Sequence, residues 1–259
     1  MVASKTKQKL RAGKPVFGVG LHTNDPFITE IIGNAGFDYI LIDGQHGPLH
    51  PSMLYEMVNG LGRTDSDVIV RVVANQPWLI GQALDMGADG VIIPVVDNAE
   101  DCRRAVDAAK YPPMGHRSNG VRKTWRFDSY EDYLVHANDE TIVWPQIETA
   151  GALETIDEFL DVDGIDGIMI GPSDLAYCLG LEPPGLMDDP KVEETIQFIL
   201  DKCKEHGVPW GMFSGLEEGE KWIRRGGQII TTGGDLGYIT GGAARDLAEC
   251  QRIESSLQD

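Results

Sequence analysis

Basic residues are scarce in this chain. Its 22 Lys and Arg face 41 Asp and Glu, a formal charge of −19. The positive surface that a nucleic acid or an anionic membrane would require is therefore not expected. A local arginine can still hold a small anion, so the deficit says little about small substrates. Cysteine is sparse as well: Cys102, Cys178, Cys203 and Cys250 show neither CxxC spacing nor a short bridged framework. Reduced thiols are the simplest reading. No apolar run approaches the roughly 20 residues of a membrane helix. The start, MVASKTKQKLRAGK, lacks the apolar centre of a signal peptide and reads as a short helix before the first strand. Cytoplasmic residence is the expectation. The dinucleotide fingerprint is missing too, since GVGLHT after the first strand is not G-x-G-x-x-G and GGDLGYITGG lacks the strand–turn–helix context.

What is present is a core-forming composition, 42% hydrophobic and 24% charged over 259 residues. Apolar runs rich in β-branched residues recur at 15–21, 39–44, 68–73, 90–96, 141–148, 167–172, 209–214 and 228–234. Helical patterns lie between them, among them FITEIIGNAG, PWLIGQALDMGA, NAEDCRRAVDAAKY, GALETIDEFLDV and PKVEETIQFILDKCKEHG. Several finish on Gly before the next strand, as helix C-caps often do. Strands this apolar are covered on both faces, which implies a parallel sheet wrapped by helices. Eight repeats in this length predict a closed (β/α)8 TIM barrel, a single α/β domain over 1–259. Two connections are longer than the rest, 112–139 and 176–190, and are expected above the active face.

In such a barrel the C-terminal strand ends surround the site. Strand two ends at Asp43, Gln45 and His46; His46 is either an ordinary residue turned to water or a delivered side chain, and alone it does not choose. Arg71 lies within the apolar VIVRVV and needs a carboxylate, Glu148 or Asp174, or an anionic ligand. Gln146 and Glu148 share one face of strand five, and Asp174 follows strand six. Two acids at one mouth repel unless a divalent metal, an arginine or a shared proton relieves them. Hard oxygen donors without a Cys or His triad favour Mg²⁺, Mn²⁺ or a similar ion over structural zinc. The turn Gly171-Pro172-Ser173-Asp174 presents backbone N–H groups suited to a carboxylate, although Ser173 or Asp174 could simply cap the helix. Strands seven and eight offer Ser214, Thr231, Thr232 and Asp235. No lysine ends an apolar strand, which disfavours Schiff-base chemistry.

These residues in this order resemble the HpcH/HpaI aldolase/citrate lyase family of metal-dependent pyruvate aldolases. The likeness runs through GFDYILIDGQHGP, VRV, ALDMGADGVIIPVVDNAEDCRRAV, AAKYPPMGHRSNG, PQIETAGAL and VDGIDGIMIGPSDLA, nearly the whole chain. It implies His46 as general base, Glu148 and Asp174 as ligands of a divalent ion (Mg²⁺, Mn²⁺ or Co²⁺), and Arg71 as stabiliser of an enolate. Gln146 and Ser173 match substrate-contacting positions, and Asp85 matches an acid that raises the basicity of the histidine. Unaided, Asp85 reads as a solvated charge on a helix. Two features depart from the family pattern: Gln45 where Glu is common, and Trp144-Pro145 before Gln146.

The activity so implied is reversible cleavage of a 4-hydroxy-2-oxo acid to pyruvate, or hydroxypyruvate, and an aldehyde. The partners are these small molecules and further copies of the chain, a hexamer with an exchanged C-terminal helix by the resemblance. Arg117, Arg122, Lys123 and Arg126 in the long connection suit either an acidic semialdehyde or an acidic neighbouring subunit, and Trp125 suits an interface, a lid or a substrate contact. A CoA-thioester lyase of the citrate or malyl-CoA type and a non-catalytic 2-oxo-acid-binding protein stay open as alternatives.

Overall fold

The computed structural model describes residues 4–62, 64–120, 127–183 and 188–257. Eight parallel strands close into a barrel in sequence order: β1 Val16–Leu21, β2 Tyr39–Asp43, β3 Asp67–Arg71, β4 Gly90–Ile93, β5 Ile142–Ile147, β6 Ile168–Ile170, β7 Trp210–Phe213 and β8 Ile229–Gly234. The (β/α)8 expectation holds, and every strand falls within a residue or so of its apolar run except the ends of β3, β4 and β6. After Ile93, Val95 turns left-handed at φ 52°, which no continuing strand could adopt.

Alternation sorts the strand residues into two cores. Tyr39, Leu41, Ile69, Ile92, Ile142, Trp144, Met169 and Ile229 fill the barrel interior, whereas Ile40, Ile42, Val68, Val70, Val91, Val143 and Ile168 pack outward beneath the helices. Trp144 is wholly buried and meets the Tyr39 ring edge-on, centroids 5.4 Å apart. Gly18 makes room for that ring, since a Cβ there would fall 2.1 Å from Tyr39 Cε2. Trp144 of the unusual Trp144-Pro145 pair is thus interior packing, while Pro145, in register with the outward Ile93, alternates to the other face. Trp144 forms the layer directly beneath the mouth.

The helices return the chain along the outside. α2 Pro26–Gly33, α3 Pro51–Leu61, α4 Pro77–Asp85 and α10 Pro190–His206 each begin on Pro, whose fixed φ suits the first helical turn. α5 Ala99–Ala109 and α6 Tyr130–Glu140 start from side-chain caps on Asn98 and Ser129. The GALETIDEFLDV segment breaks into two helices, α7 Ala150–Glu154 and α8 Ile156–Leu160, meeting at Thr155. α9 Pro172–Cys178, α11 Leu216–Arg224 and α12 Asp235–Ser256 complete the ring. The opening helix is present too, as α1 Lys5–Arg11. No helix among the described residues is long and apolar enough to cross a membrane.

One placement is corrected. The connection 112–139 follows α5 and precedes β5, so it joins helix to strand at the N-terminal end of the barrel, opposite the expected face. It carries α6, and α1 meets it there: Arg11 Nη2 binds Asp139 Oδ1 at 2.6 Å. Arg122, Lys123, Trp125 and Arg126 lie outside the described residues. The other long connection, 176–190, does leave the strand-end face, its first residues belonging to α9.

Candidate active site

The alternation that fills the interior also delivers the polar groups. Tyr39 and Leu41 point inward, and two residues on so does Asp43; Ile69 leads to Arg71, and Ile142 and Trp144 lead to Gln146 and Glu148. A cavity of about 470 Å³ at this end is lined by His46, Arg71, Gln146, Gly171, Ser173 and Asp174, among others. Pro172 lines it as well. These seven residues, all named from the sequence, are therefore side by side.

Glu148 stands immediately behind them. Its Oε1 accepts the Val95 N–H at 2.7 Å and its Oε2 accepts from Gln146 Nε2. The left-handed turn at Val95 is what aims that N–H at the carboxylate, strain of the kind that collects at functional sites. Gly171 closes the other side, where a Cβ would fall 2.1 Å from Glu148 Oε2. Burial pushes the Glu148 carboxyl above the usual range, and the neighbouring Asp174 charge adds to it, against the lowering by Val95, Arg71 and Gln146. Gln146 Oε1 is buried with no partner. Two converging carboxylates, one raised by the other, and an unsatisfied amide oxygen form a hard-oxygen donor set that fits a divalent cation. No group of three or more His, Cys, Asp or Glu suited to a metal occurs among the described residues. The carboxylate pair by itself makes an open site with room for water or substrate.

Arg71 is not paired with Glu148 or Asp174, the partners the sequence suggested. It binds Asp43, Nε to Oδ1 at 2.8 Å and Nη2 to Oδ2 at 2.5 Å, and its guanidinium lies 4.8 Å from the centre of the Phe213 ring. Asp43 Oδ1 also accepts the backbone N–H groups of Gln45 and His46, at 3.0 and 3.3 Å. Burial alone would raise Asp43, but the bonds to Arg71 outweigh it and hold the carboxyl below the usual range. One carboxylate thus fixes both the arginine and the turn that carries His46. The Gln45 side-chain oxygen is enclosed without a partner, a place where a carboxylate would be the costlier group.

Ser173 and Asp174 do not cap α9. Its N-cap is Gly171, with no side-chain bond, and the first bond of the ladder is Leu175 N–H to Gly171 O at 2.9 Å. The N–H groups of Ser173 and Asp174 precede that bond in the first turn, and both residues line the cavity.

Asp85 is the residue not brought to this group. It ends α4 and accepts from the buried Arg117, Nη2 to Oδ1 at 2.8 Å, beside a separate outer depression of about 870 Å³ that holds Trp78 and Tyr55. It is neither a free solvated charge nor, within one chain, a neighbour of His46. Two residues at the mouth were missed: Asp43 as the partner of Arg71, and His22, which lines the cavity just after β1. Asp43 lies in the GFDYILIDGQHGP stretch, but only the register of β2 on β3 reveals its pairing with Arg71; His22 lies outside the matched stretches, and only inward parity along β1 would have found it.

The model of the HpcH/HpaI aldolase/citrate lyase family matches residues 17–240. The chain belongs to that family. It is 34% identical over 236 residues to a hydroxypyruvate/pyruvate aldolase of Agrobacterium fabrum, covering 90% of this chain and 88% of that one. It is equally 34% identical over 240 residues to a 4-hydroxy-2-oxo-heptane-1,7-dioate aldolase of Klebsiella pneumoniae, covering 92% and 90%. Among solved structures, a family protein from Burkholderia cenocepacia superposes with a TM-score of 0.89 at 28% identity, over 96% of this chain and 99% of that one.

Proposed function

We propose that this protein is a divalent-metal-dependent aldolase that cleaves 4-hydroxy-2-oxo acids reversibly to pyruvate, or a close analogue, and an aldehyde. The observation that carries the reading is the convergence of Glu148 and Asp174 on one side of a cavity that also holds Arg71 and His46. Aldolases among its relatives support the reaction class. Glu148 and Asp174 would hold the ion, which when bound supplies Lewis-acid polarisation of the 2-oxo group.

The chain's own groups do the rest. The substrate carboxylate is placed at the N–H groups of Ser173 and Asp174, and the amide of Gln146 orients the oxo acid beside them. As the C3–C4 bond breaks, its electron pair passes to C3 and into the 2-oxo oxygen. Arg71, held by Asp43 through Nε and Nη2, puts its fixed positive charge beside that developing enolate. His46 takes the C4-hydroxyl proton, so that C4 leaves as the aldehyde carbonyl; protonation of C3 then yields pyruvate. In the synthetic direction His46 removes the methyl proton.

Asp85 would act on His46 only from a second copy of the chain. α12 supports an assembly: of its 22 residues only Asp235 is buried, and Leu236, Ile239, Leu247 and Ile253 are exposed. A homohexamer with exchanged C-terminal helices is the state the family resemblance implies. The test of the function is pyruvate release from 4-hydroxy-2-oxoheptanedioate by protein stripped with EDTA and resupplied with Mg²⁺, Mn²⁺ or Co²⁺. Release that returns with metal supports the reading; metal-loaded protein that neither cleaves such acids nor exchanges the methyl protons of pyruvate would refute it.

A further inference from the structure

The mechanism leaves one wall of the mouth unused. Glu148 follows β5 and Asp174 begins just beyond β6, and in a closed barrel in sequence order β1 and β2 stand four strands round from them, directly across. An oxo acid held at the paired acids therefore extends its far end toward β1 and β2. On the β2 side it meets His46. On the β1 side it meets His22, with Gly20, Thr232 and Gly233 beside it in the same cavity.

The His22 ring is seated and aimed. A Cβ at Gly20 would stand 3.2 Å from its Cε1, and one at Gly234 would stand 3.4 Å from its Nδ1, so the ring lies over two strand ends that carry no side chain. A carboxylate faces each nitrogen: Asp43 Oδ2 is 3.4 Å from Nε2 and Asp235 Oδ1 is 3.7 Å from Nδ1. Both carboxylates are already engaged more closely. Asp43 holds Arg71, and Asp235 accepts from Thr23 Oγ1 and from the backbone N–H groups of His22, Thr23 and Leu236, none farther than 3.1 Å. The imidazole is oriented from both sides at distances too long to consume its N–H, and 38% of its side chain stays open.

We propose that His22 is a specificity-determining residue that, on the aldolase reading above, donates a hydrogen bond to a hydroxyl on the carbon beyond C4, so that the released aldehyde is an α-hydroxyaldehyde. Its surroundings define the ligand group. Thr232 Oγ1 already donates to Gly18 O at 3.1 Å and so offers the cavity only an acceptor. A donor beside an acceptor matches a hydroxyl, which both accepts and donates, better than a carboxylate, which only accepts. An alkyl group in its place would leave the His22 N–H facing a group that cannot accept it.

The test is the aldol addition of pyruvate to glycolaldehyde and to propanal, which differ by a hydroxyl against a methyl, with glyoxylate as a carboxylate-bearing third acceptor. The readout is the ratio of kcat/KM for glycolaldehyde over propanal within one sample, which cancels the folded fraction. His22→Ala should lower that ratio about fivefold or more, the usual consequence of deleting one hydrogen bond to a substrate. His22→Asn, which keeps an N–H donor, should recover part of it. A ratio that stays within about twofold in His22→Ala overturns the proposal, as the loss of a single hydrogen bond is larger than that. Selective loss of glyoxylate addition overturns the hydroxyl assignment and makes His22 a reader of charge. Methyl-proton exchange of pyruvate by the wild type separates the levels: exchange with an unmoved ratio removes only the role of His22, and no exchange with any metal removes the aldolase reading and this inference with it.

Discussion

Asp43 and Arg71 are bound side to side, their two hydrogen bonds parallel and their side chains 1% and 10% exposed. The pair sits at the register position where β2 meets β3. A buried guanidinium deprived of its carboxylate keeps its desolvation penalty without its compensation. Asp43→Asn should therefore destabilise the protein by about 3 kcal/mol or more at neutral pH, and misplacement of Arg71 should lower kcat about 100-fold. The sign of the pH dependence follows from the depressed carboxyl of Asp43. Its contribution is fully present above the ordinary carboxylate pKa and is lost as pH falls through the lower folded value. Urea unfolding of both proteins at neutral pH and near pH 3 should thus show the gap between them narrowing in acid. A gap that widens would show that Asp43 is not the stabilising partner.

His46 lines the cavity with its ring exposed and its backbone N–H tied to Asp43. Removing the ring leaves that tether in place, so His46→Ala should fold normally. Loss of a positioned acid–base group lowers rate by about 10² to 10⁴. Both pyruvate release and methyl-proton exchange should fall together, measured by coupled assay and by proton NMR in D₂O. If exchange persists at the wild-type rate, another group removes the methyl proton.

The barrel and most of the mouth were legible because one rule, the two-residue period, governs both. Residues that alternate inward as Tyr39, Leu41, Asp43 or Ile142, Trp144, Gln146, Glu148 become polar only at the strand end, and that change is visible in the chain. Pairing across strands was not legible. Asp43 and Arg71 are 28 residues apart, and only the register of β2 on β3 makes them neighbours. His22 escaped for a different reason: Gly18 and Gly20, the inward residues before it, carry no hydropathy signal from which to read the period. Length alone marks the connection 112–139 as an active-face loop, whereas its position after α5 fixes it to the N-terminal end. Asp85 ends α4 and binds Arg117 away from His46 within the chain, and nothing in its helical context marks that placement.

Glu148 is held in a form that opposes folding at neutral pH. Burial and Asp174 raise its carboxyl, so stability is lost as pH rises through the folded value. Glu148→Gln removes that charge, and rotation of the Gln146 amide would let its unsatisfied Oε1 accept from the new side chain. Metal-free Glu148→Gln should consequently melt a few degrees higher than metal-free wild type, about 2–4 °C per kcal/mol recovered in a protein of this size. It should also fail to bind Mn²⁺ in titration calorimetry and recover no activity when EDTA-stripped protein is resupplied with metal. A lower melting temperature would mean that the carboxylate is stabilising in its own right.

At the opposite end of the barrel, Lys110 is 1% exposed and its ammonium donates to the carbonyls of Asn138 and Thr141, at 2.8 and 2.6 Å. It shares Asp166 with Lys7, whose Nζ is nearer that carboxylate, 2.7 against 3.4 Å. Burial, with the second lysine alongside, lowers Lys110 to about 8 despite Asp166. Below about pH 8 the ammonium is charged in both the folded and unfolded chain, and the folded state carries its full desolvation penalty. Between about pH 8 and the ordinary lysine pKa near 10.4, the folded chain gives up its proton before the unfolded chain does. Stability must then rise with pH on account of this residue alone. Lys110→Met has no such proton to release, so wild type should gain on the variant across that interval in urea unfolding series from about pH 7 to about pH 10. Parallel curves would mean that the three acceptors around Nζ compensate burial completely and that the ammonium stays charged throughout.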